Sequence, residues 1–93
     1  MDAKTCVVTG AARGIGRGIA ERFGEAGCNV AVNYRSSAET AREVVEEVEI
    51  AGGSAIAVQA DVTETAQVEQ MAAEVHDTFG TVDVLVNNAG INQ

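Results

Sequence analysis

Apolar positions along this chain switch repeatedly between an extended and a helical period. Thr5-Cys6-Val7-Val8-Thr9 is a short apolar run rich in β-branched residues, which predicts a strand. From Ile15 the apolar residues fall at Ile15, Ile19, Ala20, Phe23 and Ala26, a helical spacing that Gly27 stops. Asn29 to Tyr34, with Val30, Ala31 and Val32, predicts a second strand. Ser36 followed by Glu39 has the form of a capping box. The helix after it carries Ala41, Val44, Val45 and Val48 on one face and a solvated acidic set, Glu43, Glu46, Glu47 and Glu49, on the other, and Gly52-Gly53 ends it. Ser54 to Ala60 is the third strand. Thr63 is the expected cap of a third helix, whose stripe is Val68, Met71, Ala72, Val75 and Phe79 before Gly80. Val82 to Val86 is the fourth strand. Strands separated by whole helices need crossover connections, so the expected class is α/β with a parallel sheet of right-handed βαβ units.

Composition narrows this picture. The 93 residues form one small domain, and 46% hydrophobic content argues against disorder. Ala and Val dominate the apolar set, aromatics are 3%, and Leu85 is the single leucine, so each core side chain buries little area. A net charge of −8 disfavours nucleic acid and anionic membrane as partners, but leaves room for a local basic pocket. It also resembles the acidic balance of proteins from a saline cytoplasm, an ordinary acidic protein being the alternative. No apolar run reaches the roughly 20 residues of a membrane span, and no signal-peptide pattern opens the chain, so a cytoplasmic location is expected. Cys6 and Cys28 read as two buried reduced thiols, with a disulfide as the alternative. His76, beside Asp77, reads as solvated, and no metal site is expected.

The most informative segment is Thr9-Gly10-Ala11-Ala12-Arg13-Gly14-Ile15-Gly16, between the first strand and the first helix. Glycines there permit a sharp turn and a close approach of backbone to phosphate, and the helix N-terminus offers unpaired N–H groups. The spacing is TGxxxGxG rather than GxGxxG, and no Gly-Lys-Ser/Thr follows, which excludes a P-loop. A plain glycine-rich turn is the alternative. Gly18, inside the helix, has two readings: close packing against the sheet, or tolerated drift.

That loop, Asp61-Val62 after the third strand and Asn87-Asn88-Ala89-Gly90 after the fourth resemble the motifs of the short-chain dehydrogenase/reductase family, in order and spacing, over essentially the whole chain. The resemblance implies a Rossmann-type three-layer fold with sheet order 3-2-1-4, a dinucleotide-binding half-domain over residues 1–93. Members are more than twice as long, so an N-terminal fragment is expected. By resemblance the backbone around Gly10, Ala12, Arg13, Gly14, Ile15 and Gly16 holds the cofactor phosphates. Asp61 accepts from the adenine amino group and Val62 packs on the ring. Asn88, Ala89 and Gly90 line the ribose side, and Asn87 ties the fourth strand to its neighbours. Without the family, Asp61 reads as a turn acid and the asparagines as a turn.

The end of the second strand selects the cofactor in this family. An acid there binds the free ribose 2′-OH and repels a 2′-phosphate. Here Tyr34 stands in its place, followed by Arg35, Ser36 and Ser37, with Arg13 on the same side. Two arginines and two hydroxyls suit a phosphate, so NADP (NADPH) is expected, solvated surface arginines being the alternative. The family's chemistry uses a Ser and a Tyr-x-x-x-Lys pair. The only Tyr is Tyr34, with Ala38 four residues on, and the only Lys is Lys4, so no catalytic residue is assigned and the chain alone is expected to be inactive. Residues 32–36 and 51–55 resemble those of 3-oxoacyl-acyl-carrier-protein reductases, and next those of glucose 1-dehydrogenases. This implies hydride transfer between NADPH and a small-molecule or acyl-carrier-bound carbonyl substrate, by a homo-oligomer at full length. A non-catalytic nucleotide-binding module is the reading from another class. With the sequence stopping at Gln93, the fourth strand is expected to expose an unpaired edge and to promote self-association.

Overall fold

The structure, a computed structural model, describes residues 3–88. Its elements are β1 (Thr5–Val8), α1 (Gly14–Glu25), β2 (Asn29–Tyr34), α2 (Ala38–Ala51), β3 (Ser54–Gln59), α3 (Thr65–Phe79) and β4 (Val84–Val86). The four strands form one sheet in the order β3-β2-β1-β4, with every neighbouring pair parallel. Class and order are those expected from the sequence.

Successive side chains of a strand point to opposite faces, and in β1 and β2 both faces are covered, whereas Leu85 of β4 is 65% exposed. Val8, Val30 and Val32 pack under α1 and α2 with Ala20, Ala41, Val44 and Val48. Val7, Ala31 and Val58 pack under α3 with Met71 and Val75. The layers are therefore α1 and α2, the sheet, and α3. The register sets Cys6 beside Val30 and Val8 between Val32 and Val86, so the strand ends that carry the loops lie side by side.

Several local expectations are corrected. β4 begins at Val84, not Val82, because Asp83 bonds by side chain as well as backbone: its carboxylate accepts from the Thr5 N–H at 2.9 Å while its own N–H donates to the Thr5 carbonyl at 2.9 Å. Ser37, not Ser36, takes the N-cap position of α2 and makes no capping bond. Thr63 does not cap α3, which starts after Glu64. Its N–H and hydroxyl both bond the Asp61 carboxylate instead, at 3.0 and 2.6 Å. Ile15 is 60% exposed, although its neighbour Gly16 is buried, and Ala26 and Ala72 also face solvent. Both cysteines are free, but only Cys6 is buried as expected; Cys28, just before β2, is half-buried. Burial pushes the Cys6 thiol up to about 12, with the Cys28 thiol and Asp83 adding to the effect. No helix among the described residues is long and apolar enough to cross a membrane.

The acidic face of α2 is not simply solvated. Arg17 of α1 reaches across to Glu47 at 2.7 Å and to Glu43 at 3.6 Å, and holds Glu21 on its own helix at 3.4 Å. The hydrogen bonds that Arg17 donates hold the Glu47 carboxyl below its ordinary value of 4.5, whereas the neighbouring Glu47 carboxyl raises that of Glu21. A lowered folded-state value gives stability that is present above the unfolded value and lost as pH falls through the folded one. Arg17→Met is therefore expected to lower the urea midpoint at pH 7 and to flatten the further loss of stability below pH 4.5. An acid limb as steep as that of the parent protein would contradict the bridge.

Gly18 is exposed, and a Cβ built on it meets nothing within 4 Å, so close packing is not its reason. Gly18→Ala is expected to stabilise the fold by about 0.5–1 kcal/mol, read by urea denaturation. A loss of stability would mean that α1 has a neighbour at this position.

Candidate nucleotide-binding site

The carboxyl ends of β1, β2 and β4 converge on one loop. Gly10 turns the chain out of β1 at φ 62°, a left-handed conformation that side chains disfavour. Its N–H donates to Asn33 Oδ1 at 3.0 Å, and the next N–H, of Ala11, donates to the Asn33 carbonyl at 2.8 Å. β2 thus pins the loop. α1 then starts at Gly14, with Arg13 in an extended conformation at its N-cap, no side-chain cap and no acid in the first turn. That helix end remains open to an anion.

Gly16 sits where three segments touch. A Cβ there would lie 2.5 Å from Asn88 Nδ2 and 2.6 Å from the Gly10 carbonyl oxygen. Asn88 is 1% exposed; its backbone N–H donates to Thr9 Oγ1 at 2.9 Å and its Nδ2 to the Gly10 carbonyl at 3.1 Å. Its Oδ1 has no hydrogen-bond partner among the described residues. A buried acceptor without a partner is costly, which marks a place for an incoming donor.

Beside this loop lies a cleft of about 410 Å³ lined by Gly10, Ala12, Arg13, Tyr34, Arg35, Ser36, Ser37 and Asn88. Arg13 Nη2 donates to Ser37 Oγ at 2.8 Å across it. The Arg35 carbonyl accepts from Gln59 Nε2 at 3.2 Å, while its guanidinium, 78% exposed, lies 3.6 Å from Asp61 Oδ2. The two Thr63 bonds, and then the charge of Arg35, hold the Asp61 carboxyl below its ordinary value.

Of the residues expected from the sequence, Gly10, Ala12, Arg13, Tyr34, Arg35, Ser36 and Asn88 line the cleft. Gly14, Ile15 and Gly16 form the helix start next to it. Asp61 meets it through Arg35. Val62 goes elsewhere: it packs beside Val58, Met71 and Val75 and lines a separate cavity of about 360 Å³ with Thr9, Leu85 and Asn87. Asn87 Oδ1 lies 3.4 Å from the Thr9 hydroxyl, which links the loop after β4 to β1. Ala89 and Gly90 lie outside the described residues. Asn33 and Gln59 were not singled out from the sequence. The signal for Asn33 is a polar residue closing the apolar run 30–32, where a buried amide must find partners.

The donor set fits a phosphorylated nucleoside. Phosphate oxygens accept, and Arg13, Arg35, the two serine hydroxyls and the N–H groups of α1 donate. Ribose hydroxyls can donate, and Asn88 Oδ1 is an acceptor that would suit one.

The family model of the short chain dehydrogenases matches residues 4–93, and the chain belongs to that family. Among curated relatives, it is 52% identical over 90 residues to the 3-oxoacyl-[acyl-carrier-protein] reductase FabG of Staphylococcus epidermidis, covering 97% of this chain and 37% of that protein. It is 50% identical over 91 residues to 3beta-hydroxysteroid dehydrogenase 1 of Eggerthella lenta, covering 98% and 35%. Among solved structures, a mutant short-chain dehydrogenase/reductase of Serratia marcescens superposes with TM-score 0.91 at 38% identity, over 98% of this chain and 37% of that one. A dehydrogenase/reductase from Sinorhizobium meliloti does so with TM-score 0.91 at 45% identity, over 98% and 36%. The chain thus spans a little over a third of the length of these relatives.

Gly16→Ala is expected to force Asn88 and Gly10 apart, at a cost of about 1–3 kcal/mol in folding stability, measured by urea denaturation. An unchanged midpoint would show that the three segments do not meet as closely as described.

Proposed function

We propose that this chain is the NADP(H)-holding part of an oxidoreductase that transfers hydride between NADPH and a carbonyl or alcohol. The substrate proposed is a 3-oxoacyl group on an acyl carrier protein, the enzyme a cytoplasmic homo-oligomer. The observation that carries the cofactor reading is the end of β2. Tyr34 stands where an acid would select NAD, and Arg13, Arg35, Ser36 and Ser37 line one cleft there. The 2′-phosphate would lie among these four, the pyrophosphate over residues 10–16, and the ribose against Asn88, Ala89 and Gly90. Asp61 keeps Oδ2 free of Thr63 for the adenine amino group. The role expected of Val62 on the adenine ring asks for a different placement from its present one.

The cofactor would supply the hydride. The substrate oxygen also needs a proton donor, and these residues contain no Tyr-x-x-x-Lys pair. On this reading the 93 residues bind the nucleotide but do not by themselves oxidise it. The acyl-carrier substrate rests on likeness to the Staphylococcus epidermidis reductase. The nearly equal identity to the Eggerthella lenta enzyme favours, as a second reading, a hydroxysteroid substrate on the same cofactor site.

Cofactor preference tests the reading. Hydrogen bonds to a charged group contribute about 1.5–3 kcal/mol, so Arg35→Asp is expected to weaken NADPH by roughly 10–100-fold while leaving NADH nearly unchanged, as read by fluorescence titration. Equal losses for both nucleotides would contradict the assignment.

A further inference from the structure

Asn33 is 2% exposed and does not line the cleft, yet its amide bonds two of the segments that surround the site. Its Oδ1 accepts from the Gly10 N–H at 3.0 Å. Its Nδ2 donates to the carbonyls of Val58 at 3.2 Å and Ala60 at 3.3 Å. The amide can point only one way, because an N–H can only donate and carbonyls can only accept. β1 and β3 are not neighbours, since β2 lies between them. The backbone joins the glycine loop after β1 to the segment after β3 only through β2, whose Asn33 and Tyr34 carbonyls accept from the Ala11 and Ala60 N–H groups at 2.8 and 3.0 Å, whereas the Asn33 side chain bonds both segments at once.

We infer that Asn33 is a positioning residue that fixes the spacing between the Gly10 loop and the Ala60–Asp61 segment, so that phosphate and base of one nucleotide are met together. The inference rests on the nucleotide-binding reading above and goes beyond it. Asn33 precedes Tyr34 and Arg35 directly, so the same residue also anchors the strand end that presents the cation. An apolar replacement of similar size would fill the space but leave the Gly10 N–H and the Ala60 carbonyl without partners. A carboxylate keeps the acceptor for Gly10, loses both donors and repels the two carbonyls.

The test uses the 93-residue protein, with NADPH and NADH as probes. Asn33→Asp is expected to weaken both nucleotides about equally, by roughly tenfold, at a temperature where the variant is folded. Its Gly10 amide is expected to keep its protection from hydrogen exchange. Asn33→Leu is expected to lose nucleotide affinity and Gly10 protection together. In the unsubstituted protein the Asn33 side-chain amide protons are expected to exchange slowly, a signature that needs no variant to fold. Unchanged affinity in a folded Asn33→Asp, or fast exchange of those amide protons, would overturn the positioning role and leave the cofactor reading standing. An unsubstituted protein that binds neither nucleotide would overturn both.

Discussion

The close approach of Gly16 to Asn88 and to the Gly10 carbonyl is the constraint on which the site depends. It joins the first turn of α1 to the ends of β1 and β4, and no larger residue fits without moving backbone or a buried amide. Because these elements meet there, the N-terminus of α1 opens beside the cleft rather than above the sheet. The same contact buries Asn88 and leaves its Oδ1 without a partner among the described residues. Asn33 does the corresponding work on the other side, where Gly10, Val58 and Ala60 converge on one amide.

Around this polar end the sheet is held by small side chains. Valines and alanines facing α1 and α2 on one side, and α3 on the other, form two thin layers. Such layers gain less area per residue than leucine-rich ones, so polar ties between elements matter more. Arg17 supplies one between α1 and α2, and Asp83 another between β4 and β1. Both lie away from the cleft, which leaves the side chains of Arg13 and Arg35 on its wall, tied to Ser37 and Asp61.

The alternation of strands and helices was legible in the sequence because periodicity is a local signal, whereas the sheet order and most of the cleft wall came from the family resemblance carried by the TGxxxGxG loop, Asp61-Val62 and Asn87 to Gly90. What was hidden depends on which of several competing partners, near or distant along the chain, each side chain takes. Thr63 has the chemistry of a cap, but the Asp61 carboxylate two residues earlier takes it first. Glu43 and Glu47 read as a solvated face because the sequence does not show that Arg17 lies opposite. Ile15 has helical spacing, yet in the first turn of α1 it is Gly16 that is buried and Ile15 that faces outward. Asn33 read as one more residue of the second strand, and only its bonds to Gly10, Val58 and Ala60 show what it holds.

The central claim is that the cleft at the carboxyl ends of β1 and β2 holds a 2′-phosphorylated nucleotide. Titration of the 15N-labelled protein with adenosine 2′,5′-bisphosphate, followed by amide chemical shifts, tests it most directly. The account predicts saturable shifts concentrated at Gly10 to Gly16, Tyr34 to Ser37 and Asn88, with adenosine 5′-monophosphate binding much more weakly. Shifts centred on Lys4 and residues 79–83 at the opposite end of the sheet, or equal binding of the two nucleotides, would contradict it.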